Sequence, residues 1–510
     1  MMLKKLWLLS SLAVGLPLAA RSIAAAADSA VSVEVALDEH AALSVAEGGP
    51  FTGRIFLFAS QQHDGEPRFG PNWFKPEPFF RLDVQDMRPG ESRSIDDRAA
   101  GFPAPISRLA EGNYRVQALL DHHRDSQHYA HSAGNFYSQV ARWRYDPAAP
   151  EPLKLELDQV IKPRQFVERP WLKEVRLKSD LLSEFHSRPV LHLAAVVLPA
   201  SYDREPRRHY PVIYTIPGFG GTHYDAERGF SKAPPEANAG ETDFIRVMLS
   251  ADCQWGHHVF ADGATNGPRG AALVDELIPH IDAQFRTVAA PTARFLTGHS
   301  SGGWSSLWLQ VSYPETFGGV WSTAPDPVDF GDWQQVDLYA EPPLSLYVDE
   351  RGERRPIARM NGKPVLWYQS FAQMDDVLGH GGQLRSFEAV FSPLDAAGLP
   401  RRMWDRTSGR IDPEIVKAWE AYDIRRKLEH NWDELGPKLR GKLHVLAGEF
   451  DTFYLEGAVR RLASSLKALG SDAEVAVVAG KDHGSLLSPE LIRQIRRQMS
   501  AAFLARHPAR

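Results

Sequence analysis

The residues with the clearest chemical potential lie at 298–303, where the chain reads Gly-His-Ser-Ser-Gly-Gly. An apolar, strand-like stretch at 293–297 precedes this run, and a helix-like stretch follows it. In a Gly-x-Ser-x-Gly pattern between a strand and a helix, the chain turns sharply and holds the serine exposed in a strained conformation. The pattern therefore predicts a nucleophile at Ser300. A serine hydroxyl also needs a base, an acid and an oxyanion hole, which should be encoded elsewhere in the chain.

An acid and a base follow Ser300, each in a loop directly after a predicted strand. The strands at 443–447 and 475–478 lead into loops that contain Asp451 and His483. The order serine, acid, histidine is that of the α/β-hydrolase triad. Asp451 is therefore predicted as the acid and His483 as the base. Three other carboxylates stay open as the acid: Glu449, Asp326 and Asp329.

The oxyanion hole should use two backbone N–H groups, one after the nucleophile and one in an earlier loop. Ser301 supplies the first. A strand at 210–216 runs into Pro-Gly-Phe-Gly-Gly at 217–221, where the glycines allow an N–H to point into the site. Phe219 is therefore predicted as the second donor.

Two further segments carry residues that could contact a ligand. The loop after the strand-like run 247–253 places Trp255, His257 and His258 as candidates for lining the pocket mouth, with plain loop packing equally open. Cys253 is interpreted as a small buried residue rather than a nucleophile.

The segment 121–131 concentrates four histidines and two aspartates, which are metal-ligand types. Their spacing fits no specific metal motif, so a metal site and a solvated, pH-sensitive loop both stay open. No metal or other cofactor is predicted. The six residues are Asp121, His122, His123, Asp125, His128 and His131.

The elements that must position these residues fall into two regions. From Glu174 onward strands alternate with helices, including a helix at 271–285, which predicts a mostly parallel sheet. This alternation of strands and helices is interrupted at 329–438, an aromatic-rich section predicted to be a lid-like insertion. Within it, Asp412 and Pro413 should begin a helix that runs to about His430.

The first part of the chain has a different pattern. Short strands separated by turn residues at 28–160 predict an all-β, immunoglobulin-like sandwich, and 158–171 looks like a linker into an α/β unit at 161–510. A basic start, an apolar run at 6–20 and small residues at 24–27 predict a signal peptide over 1–27, and hence a periplasmic or secreted bacterial protein.

Charge and composition restrict the partners. Loss of the predicted signal peptide would leave 55 basic against 64 acidic side chains, a net charge of −9, which disfavours nucleic-acid binding. No later segment is long and apolar enough for a stable membrane span. Because Cys253 is the only cysteine, an intramolecular disulfide is excluded.

Five short blocks of the sequence together resemble a known family. They lie at 210–221, 262–268, 276–279, 298–303 and 480–484. They resemble the putative-esterase group of the α/β-hydrolases, which includes esterase D, feruloyl and acetyl-xylan esterases, enterochelin esterases and mycolyltransferases. The resemblance implies Ser300, Asp451 and His483 as a triad, with Phe219 and Ser301 as oxyanion donors. The chain departs from the simplest members in its insertion and in the Pro-Gly start of its oxyanion loop.

The function expected from these features is an exported serine hydrolase that cleaves carboxylic esters through an acyl-enzyme. Its substrate would be a small-molecule or polysaccharide-linked ester. An acyltransferase or peptidase on the same fold, or a non-catalytic protein that binds an envelope component or polysaccharide, stays open as an alternative.

Overall fold

The computed structural model of the protein describes residues 31–45, 48–62 and 64–508, so the predicted signal peptide lies outside the described residues. Strands and helices are numbered in chain order. The strands are β1 Val33–Leu37, β2 Phe51–Ser60, β3 Phe79–Met87, β4 Ser92–Ile95, β5 Ala100–Phe102, β6 Gly112–Asp121, β7 Phe136–Tyr137, β8 Ala141–Tyr145, β9 Leu153–Leu157, β10 Gln159–Val160, β11 Leu172–Ser179, β12 Val190–Val197, β13 Val212–Ile216, β14 Ile245–Leu249, β15 Asp252–Cys253, β16 Gly256–His257, β17 Arg294–His299, β18 Gly319–Thr323, β19 Pro356–Met360, β20 Lys363–Trp367, β21 Leu443–Gly448 and β22 Glu474–Val478.

Helices flank and cover these strands. They are α1 Glu39–Leu43, α2 Asp180–His186, α3 Asp225–Gly229, α4 Arg269–Ala272, α5 Ile278–Gln284, α6 Ser301–Ser312, α7 Tyr368–Leu378, α8 Gln383–Phe391, α9 Pro413–Trp419, α10 Ile424–His430, α11 Trp432–Leu439, α12 Glu456–Ala468 and α13 Pro489–Arg506. Within the described residues, no helix combines the length and apolar character that a bilayer crossing requires.

The largest sheet positions the predicted catalytic loops. Its strands lie in the order β11-β12-β14-β13-β17-β18-β21-β22. The first two pairings are antiparallel, and every pairing from β14 to β22 is parallel. Because the carboxyl ends of parallel strands meet at one edge, the loops after β13, β17, β21 and β22 lie at the same edge of the sheet.

The long section between β18 and β21 contains the β19–β20 hairpin and helices α7 to α11. The single helix predicted from Asp412 to about His430 is wrong in its length. Asp412 does cap α9, but the helix ends at Trp419, and Asp423 begins α10 by accepting the N–H of Arg426. The predicted helix at 271–285 is present as one uninterrupted helical run, in which α4 continues through a π-helical turn at Leu273–Leu277 into α5.

The first ten strands form two sheets. A three-stranded sheet has the order β4-β1-β9, and a seven-stranded sheet has the order β10-β7-β6-β2-β3-β5 with β8 beside β6. One apolar core contains Val33 and Leu155 of the smaller sheet together with Ile55 and Leu57 of the larger one. The two sheets therefore share a buried layer.

The seven-stranded sheet is also buried on its other face. Side chains alternate across a strand, and Phe56 and Phe58 of β2 point away from Ile55 and Leu57. These two phenylalanines belong to the main core of the molecule, together with residues of the largest sheet. The N-terminal strands are thus packed into the rest of the protein through an aromatic face.

Two arginines of this sheet donate hydrogen bonds to the insertion. Arg54, paired with Asp121 at 2.8 Å, donates from Nη1 to the carbonyls of Leu378 and His380, each at 2.6 Å. Arg81 donates to carbonyls near the same end of α7. Cations at a helix C-terminus satisfy its free carbonyls and favour the helix dipole, so the N-terminal sheet holds the insertion in place.

Candidate active site

Ser300 lies at the sharp turn between β17 and α6. Its backbone has φ 59° and ψ −127°, a conformation that is strained for a residue with a Cβ atom. A Cβ atom on Gly302 would lie 2.0 Å from the carbonyl oxygen of Ile216, and one on Gly298 would lie 2.0 Å from that of Gly302. Both glycines are therefore required for the chain to turn here, as the sequence pattern indicates.

Asp451 and His483 form a hydrogen-bonded pair beside this turn. Nδ1 of His483 donates to Oδ2 of the fully buried Asp451 at 2.8 Å, and Oδ1 accepts the N–H of Phe453 at 2.9 Å. The His483 ring centroid lies 4.5 Å from that of His299, the residue before Ser300. With Nδ1 engaged, Nε2 is the ring nitrogen left for a proton from the serine.

Two neighbours enclose the His483 ring. Phe453 meets it edge to face at 5.0 Å between centroids. Burial, together with the nearby His483, lowers the pKa of His299 to about 4, so His299 is neutral at physiological pH. A neutral neighbour does not repel the imidazolium that a general base becomes.

The other candidate acids have different partners. Glu449 accepts the N–H of Gly480 at 2.9 Å, and the buried Asp329 pairs with Arg425 at 2.8 Å and with Arg461. Neither has a hydrogen bond to His483 among the described contacts.

Asp326 is also buried beside the turn. Its Oδ2 accepts a hydrogen bond from the hydroxyl of Ser301 at 2.5 Å, and its backbone N–H donates to the Ser300 carbonyl at 3.3 Å. Burial raises the pKa of Asp326 to about 6, although the Ser301 hydroxyl opposes the shift. Asp326 thus contacts the residue after the nucleophile rather than the base.

This raised pKa predicts a pH-dependent stability effect of Asp326→Asn. The native state holds the proton up to about pH 6 and the unfolded state only to about 3.8, so ionisation of Asp326 destabilises the fold as pH rises through this window. The neutral amide avoids that cost. We therefore compare the change in the free energy of unfolding that Asp326→Asn causes at two pH values. This change should be more favourable at pH 8 than at pH 4 by roughly 2–3 kcal/mol. Denaturant unfolding at both pH values measures it, and an equal effect at both would contradict the prediction.

A residue of the β19–β20 hairpin contacts the loop that carries Asp451, the predicted acid. Arg359 of β19 donates from Nε to the Asp451 carbonyl at 2.9 Å and from Nη2 to the Glu449 carbonyl at 3.3 Å. The same guanidinium pairs with Glu456 at 2.7 Å. The position of the carboxylate therefore depends on a residue far from it in sequence.

The loop after β13 lies directly against the serine. A Cβ atom on Gly218 would be 3.3 Å from Cβ of Ser300. Nε2 of His257 donates to the carbonyl of Pro217 at 2.9 Å, and its Nδ1 accepts the N–H of Val259. Burial lowers the pKa of His257 to about 4, which keeps this ring neutral and the loop anchored.

The two predicted oxyanion donors occupy different elements. Ser301 is the first residue of α6, where an N–H has no acceptor within the helix. Phe219 lies in the loop beside Gly218, and its ring packs against Trp73 at 5.7 Å between centroids. Trp73 also meets Phe371 of α7 at 5.1 Å, so the N-terminal region, the loop and the insertion converge here.

The three residues predicted to line the pocket mouth do not lie together in the structure. Trp255 and His258 line a large cavity, and Trp255 packs against His380 of the insertion. His257 is buried behind the oxyanion loop instead. Cys253 is buried, and burial raises the pKa of its thiol to about 11, which does not favour a nucleophilic thiolate.

The four histidines of segment 121–131 are spread over different surroundings. His122 contacts the Gly134 carbonyl and lies against Phe51, whereas His131 stacks on Phe69. Within the described residues, no group of three or more histidine, cysteine, aspartate or glutamate side chains could hold a metal ion.

A family model described as "Putative esterase" matches residues 193–431. The matched range contains Phe219, Ser300 and Ser301, and it ends before Asp451 and His483. No curated protein matches the chain.

Several solved structures are similar at low identity. One is a ferulic acid esterase, with 13% identity, a TM-score of 0.40, and coverage of 65% of this chain and 98% of that chain. Another is an S-formylglutathione hydrolase from Agrobacterium tumefaciens, with 15% identity, a TM-score of 0.37, and coverage of 66% and 97%. A third is a ferulic acid esterase from Anaeromyces mucronatus in complex with ferulic acid, with 14% identity, a TM-score of 0.34, and coverage of 67% and 95%.

The family match confirms the predicted resemblance to the putative-esterase group of the α/β-hydrolases. It supports a hydrolase that acts on esters. The family model says nothing of the acid and the base, so their assignment depends on the geometry described above.

Proposed function

We propose that the protein is a serine esterase in which Ser300 attacks the ester carbonyl. The observation that carries the proposal is the 2.8 Å hydrogen bond from His483 to the buried Asp451, placed beside a serine at φ 59°. A buried carboxylate holds the imidazole in one tautomer and stabilises the imidazolium that forms.

The proposed reaction has two halves. Nε2 of His483 takes the Ser300 proton as Oγ bonds to the carbonyl carbon, and the N–H groups of Phe219 and Ser301 stabilise the oxyanion. The C–O bond to the alcohol breaks as His483 returns the proton to the leaving oxygen. Water, deprotonated by His483, then attacks the acyl-enzyme; the bond from the acyl carbon to Oγ breaks as His483 returns the proton to Oγ, and the acid leaves.

The proposal also covers the setting of the site. In it, the described residues up to 160 form a β-sandwich, and those from 161 onward form an α/β-hydrolase unit whose insertion at 329–438 covers the site. Export through the signal peptide would bring the enzyme to the periplasm or medium. The contacts of Trp73 with Phe219 and Phe371 support a role for all three regions in shaping the substrate pocket.

Covalent labelling tests the nucleophile. An alkyl fluorophosphonate should phosphonylate Ser300, and peptide mass spectrometry should locate one adduct there, because an activated serine displaces fluoride. The Ser300→Ala protein should give no adduct, and Ser305→Ala, which removes a buried serine of the same helix, should still be labelled. An unlabelled wild-type protein, or an adduct that persists in Ser300→Ala, would refute the proposal.

A further inference from the structure

A cavity of about 1320 Å³ lies between the N-terminal strands and the α/β region. Segment 121–131 lines one side, and the loops on either side of β15 and β16 line the other. We call it the interdomain cavity. Trp255 and His258, predicted from sequence as pocket residues, are part of its wall.

Arg269 is a buried cation in this wall. Its side chain is only 8% exposed, and Nε donates to the Asn266 carbonyl at 3.0 Å. No carboxylate of the described residues lies within 4.0 Å of its nitrogen atoms, and its two terminal nitrogens have no protein acceptor there. Burying a charge without a counter-ion is costly, so an unpaired guanidinium facing a cavity indicates a missing anionic partner.

No acidic residue of the cavity forms an ion pair with Arg269. Burial lowers the pKa of Arg269, and the charges of Asp125 and Asp252 oppose this shift from beyond 4.0 Å. Each acidic residue is already engaged, and the pairs are Asp125 with Arg188, Asp225 with Arg228, Glu227 with Arg164, and Asp252 with the N–H of Gln127 and, at 4.0 Å, with His128. Burial lowers the pKa of His258, and the charge of Arg269 lowers it further. Among the described residues, eight arginine or lysine side chains line the cavity against four carboxylates, so cationic charge is in excess there.

Other polar atoms beside Arg269 also lack partners. Nδ2 of Asn266, Oγ1 of Thr265 and Nε2 of His186 are buried without a hydrogen bond, and all three residues line the cavity. Native proteins leave few such atoms unsatisfied unless a ligand or water occupies the site. All three can donate, His186 in the tautomer that carries its proton on Nε2, as an anion requires.

The cavity reaches the oxyanion loop. Gly220 lines it, and a Cβ atom on Gly220 would be 4.0 Å from Cε1 of His128. Two residues earlier, Gly218 lies against Ser300. Since two residues span at most about 7 Å, the cavity wall begins within that distance of the loop residue that contacts the nucleophile.

We propose that the interdomain cavity binds an anionic group of the ester substrate, a carboxylate or a phosphate, through Arg269. This inference rests on the proposed esterase function for its link to catalysis. Asn266 and His186 donate further hydrogen bonds to the same anion. The N-terminal region thereby supplies one wall of a specificity site.

Anion binding can be measured apart from catalysis in the Ser300→Ala protein by titration calorimetry with inorganic phosphate and with citrate. We expect at least one anion to bind, and Arg269→Met in that background to weaken binding by about tenfold or more. Arg228→Gln removes the same charge at the rim, where its side chain is 89% exposed, and should change the affinity by less than about twofold. The two probes distinguish a phosphate from a carboxylate.

Thermal unfolding separates a ligand site from a structural arginine. Without added anion, Arg269→Met should raise the Tm, because it removes a buried unpaired charge, and phosphate or citrate should then no longer raise it. A lowered Tm together with unchanged anion affinity would mean that Arg269 is structural. Absence of anion binding to the Ser300→Ala protein would also overturn the proposal.

Kinetics connects the cavity to the substrate. The ratio of kcat/KM for mono-p-nitrophenyl adipate to that for p-nitrophenyl hexanoate should fall about tenfold in Arg269→Met and stay constant in Arg228→Gln. A constant ratio in Arg269→Met would show that the anion is not part of the substrate, and would overturn the substrate assignment. Failure of fluorophosphonate labelling with anion binding retained would refute the esterase function instead.

Discussion

Replacing Asp451 by Asn should lower kcat for p-nitrophenyl acetate by about 10⁴-fold, a smaller loss than in Ser300→Ala. An amide can still accept the N–H of Phe453, so the loop should keep its fold. It cannot stabilise the imidazolium, and its NH₂ group favours the wrong tautomer of His483. Steady-state kinetics at pH 8, with the Tm as a check on folding, measures the effect.

Asp326→Asn is the matched control for this prediction. Both carboxylates are buried beside the turn, but Asp326 contacts Ser301 and only Asp451 contacts His483. We expect Asp326→Asn to change kcat by less than about tenfold. If Asp326→Asn lost as much activity as Asp451→Asn, or if Asp451→Asn kept most of it, the assignment of the acid would be wrong.

A chain without residues 28–160 should not be obtained as a soluble, monodisperse protein. The deletion should therefore do more than change the substrate range. The deletion would expose the surface that Phe56, Phe58, Phe79, Phe102 and Leu119 cover in the main core. Each such side chain contributes about 1.5–3 kcal/mol on burial, so the loss would approach or exceed the whole stability of a typical domain. Size-exclusion chromatography and circular dichroism of the truncated chain measure the outcome.

Point variants give the same test within a folded protein. Phe58→Ala should lower the free energy of unfolding by about 3–5 kcal/mol, because it leaves a cavity in the shared core. Leu43→Ala, in the same region but 70% exposed, should change it by less than about 0.5 kcal/mol. A truncated chain that stayed monomeric and hydrolysed p-nitrophenyl acetate at the wild-type rate would contradict this prediction.

The positions of the catalytic loops could be predicted because they follow strands. Each buried strand is a short apolar run, and parallel strands bring their ends to one edge, so Ser300, Asp451 and His483 could be placed without any knowledge of contacts. The glycines at 298 and 302 added the geometry of the turn. These signals are local in sequence and do not depend on the rest of the fold.

The contacts that complete the site have no such local signal. Trp73, Arg359 and Arg269 act on residues more than ninety positions away or on a cavity between regions, and nothing near them in sequence indicates their partners. The break in the helix after Trp419 has a similar cause. Asp423 also accepts the N–H of Phe330 and the hydroxyl of Tyr339, tertiary contacts that override a continuous helical pattern.

The hydrogen bonds from Arg359 to the loop of Asp451 limit how such an enzyme can be re-engineered. A covering segment is usually regarded as an exchangeable part, replaced to change what enters a pocket. Here the β19–β20 hairpin belongs to that segment and also supports the loop of Asp451, the carboxylate proposed to orient the base. A chimera that exchanges the segment between β18 and β21 would therefore have to keep this hairpin, or lose turnover for every ester alike.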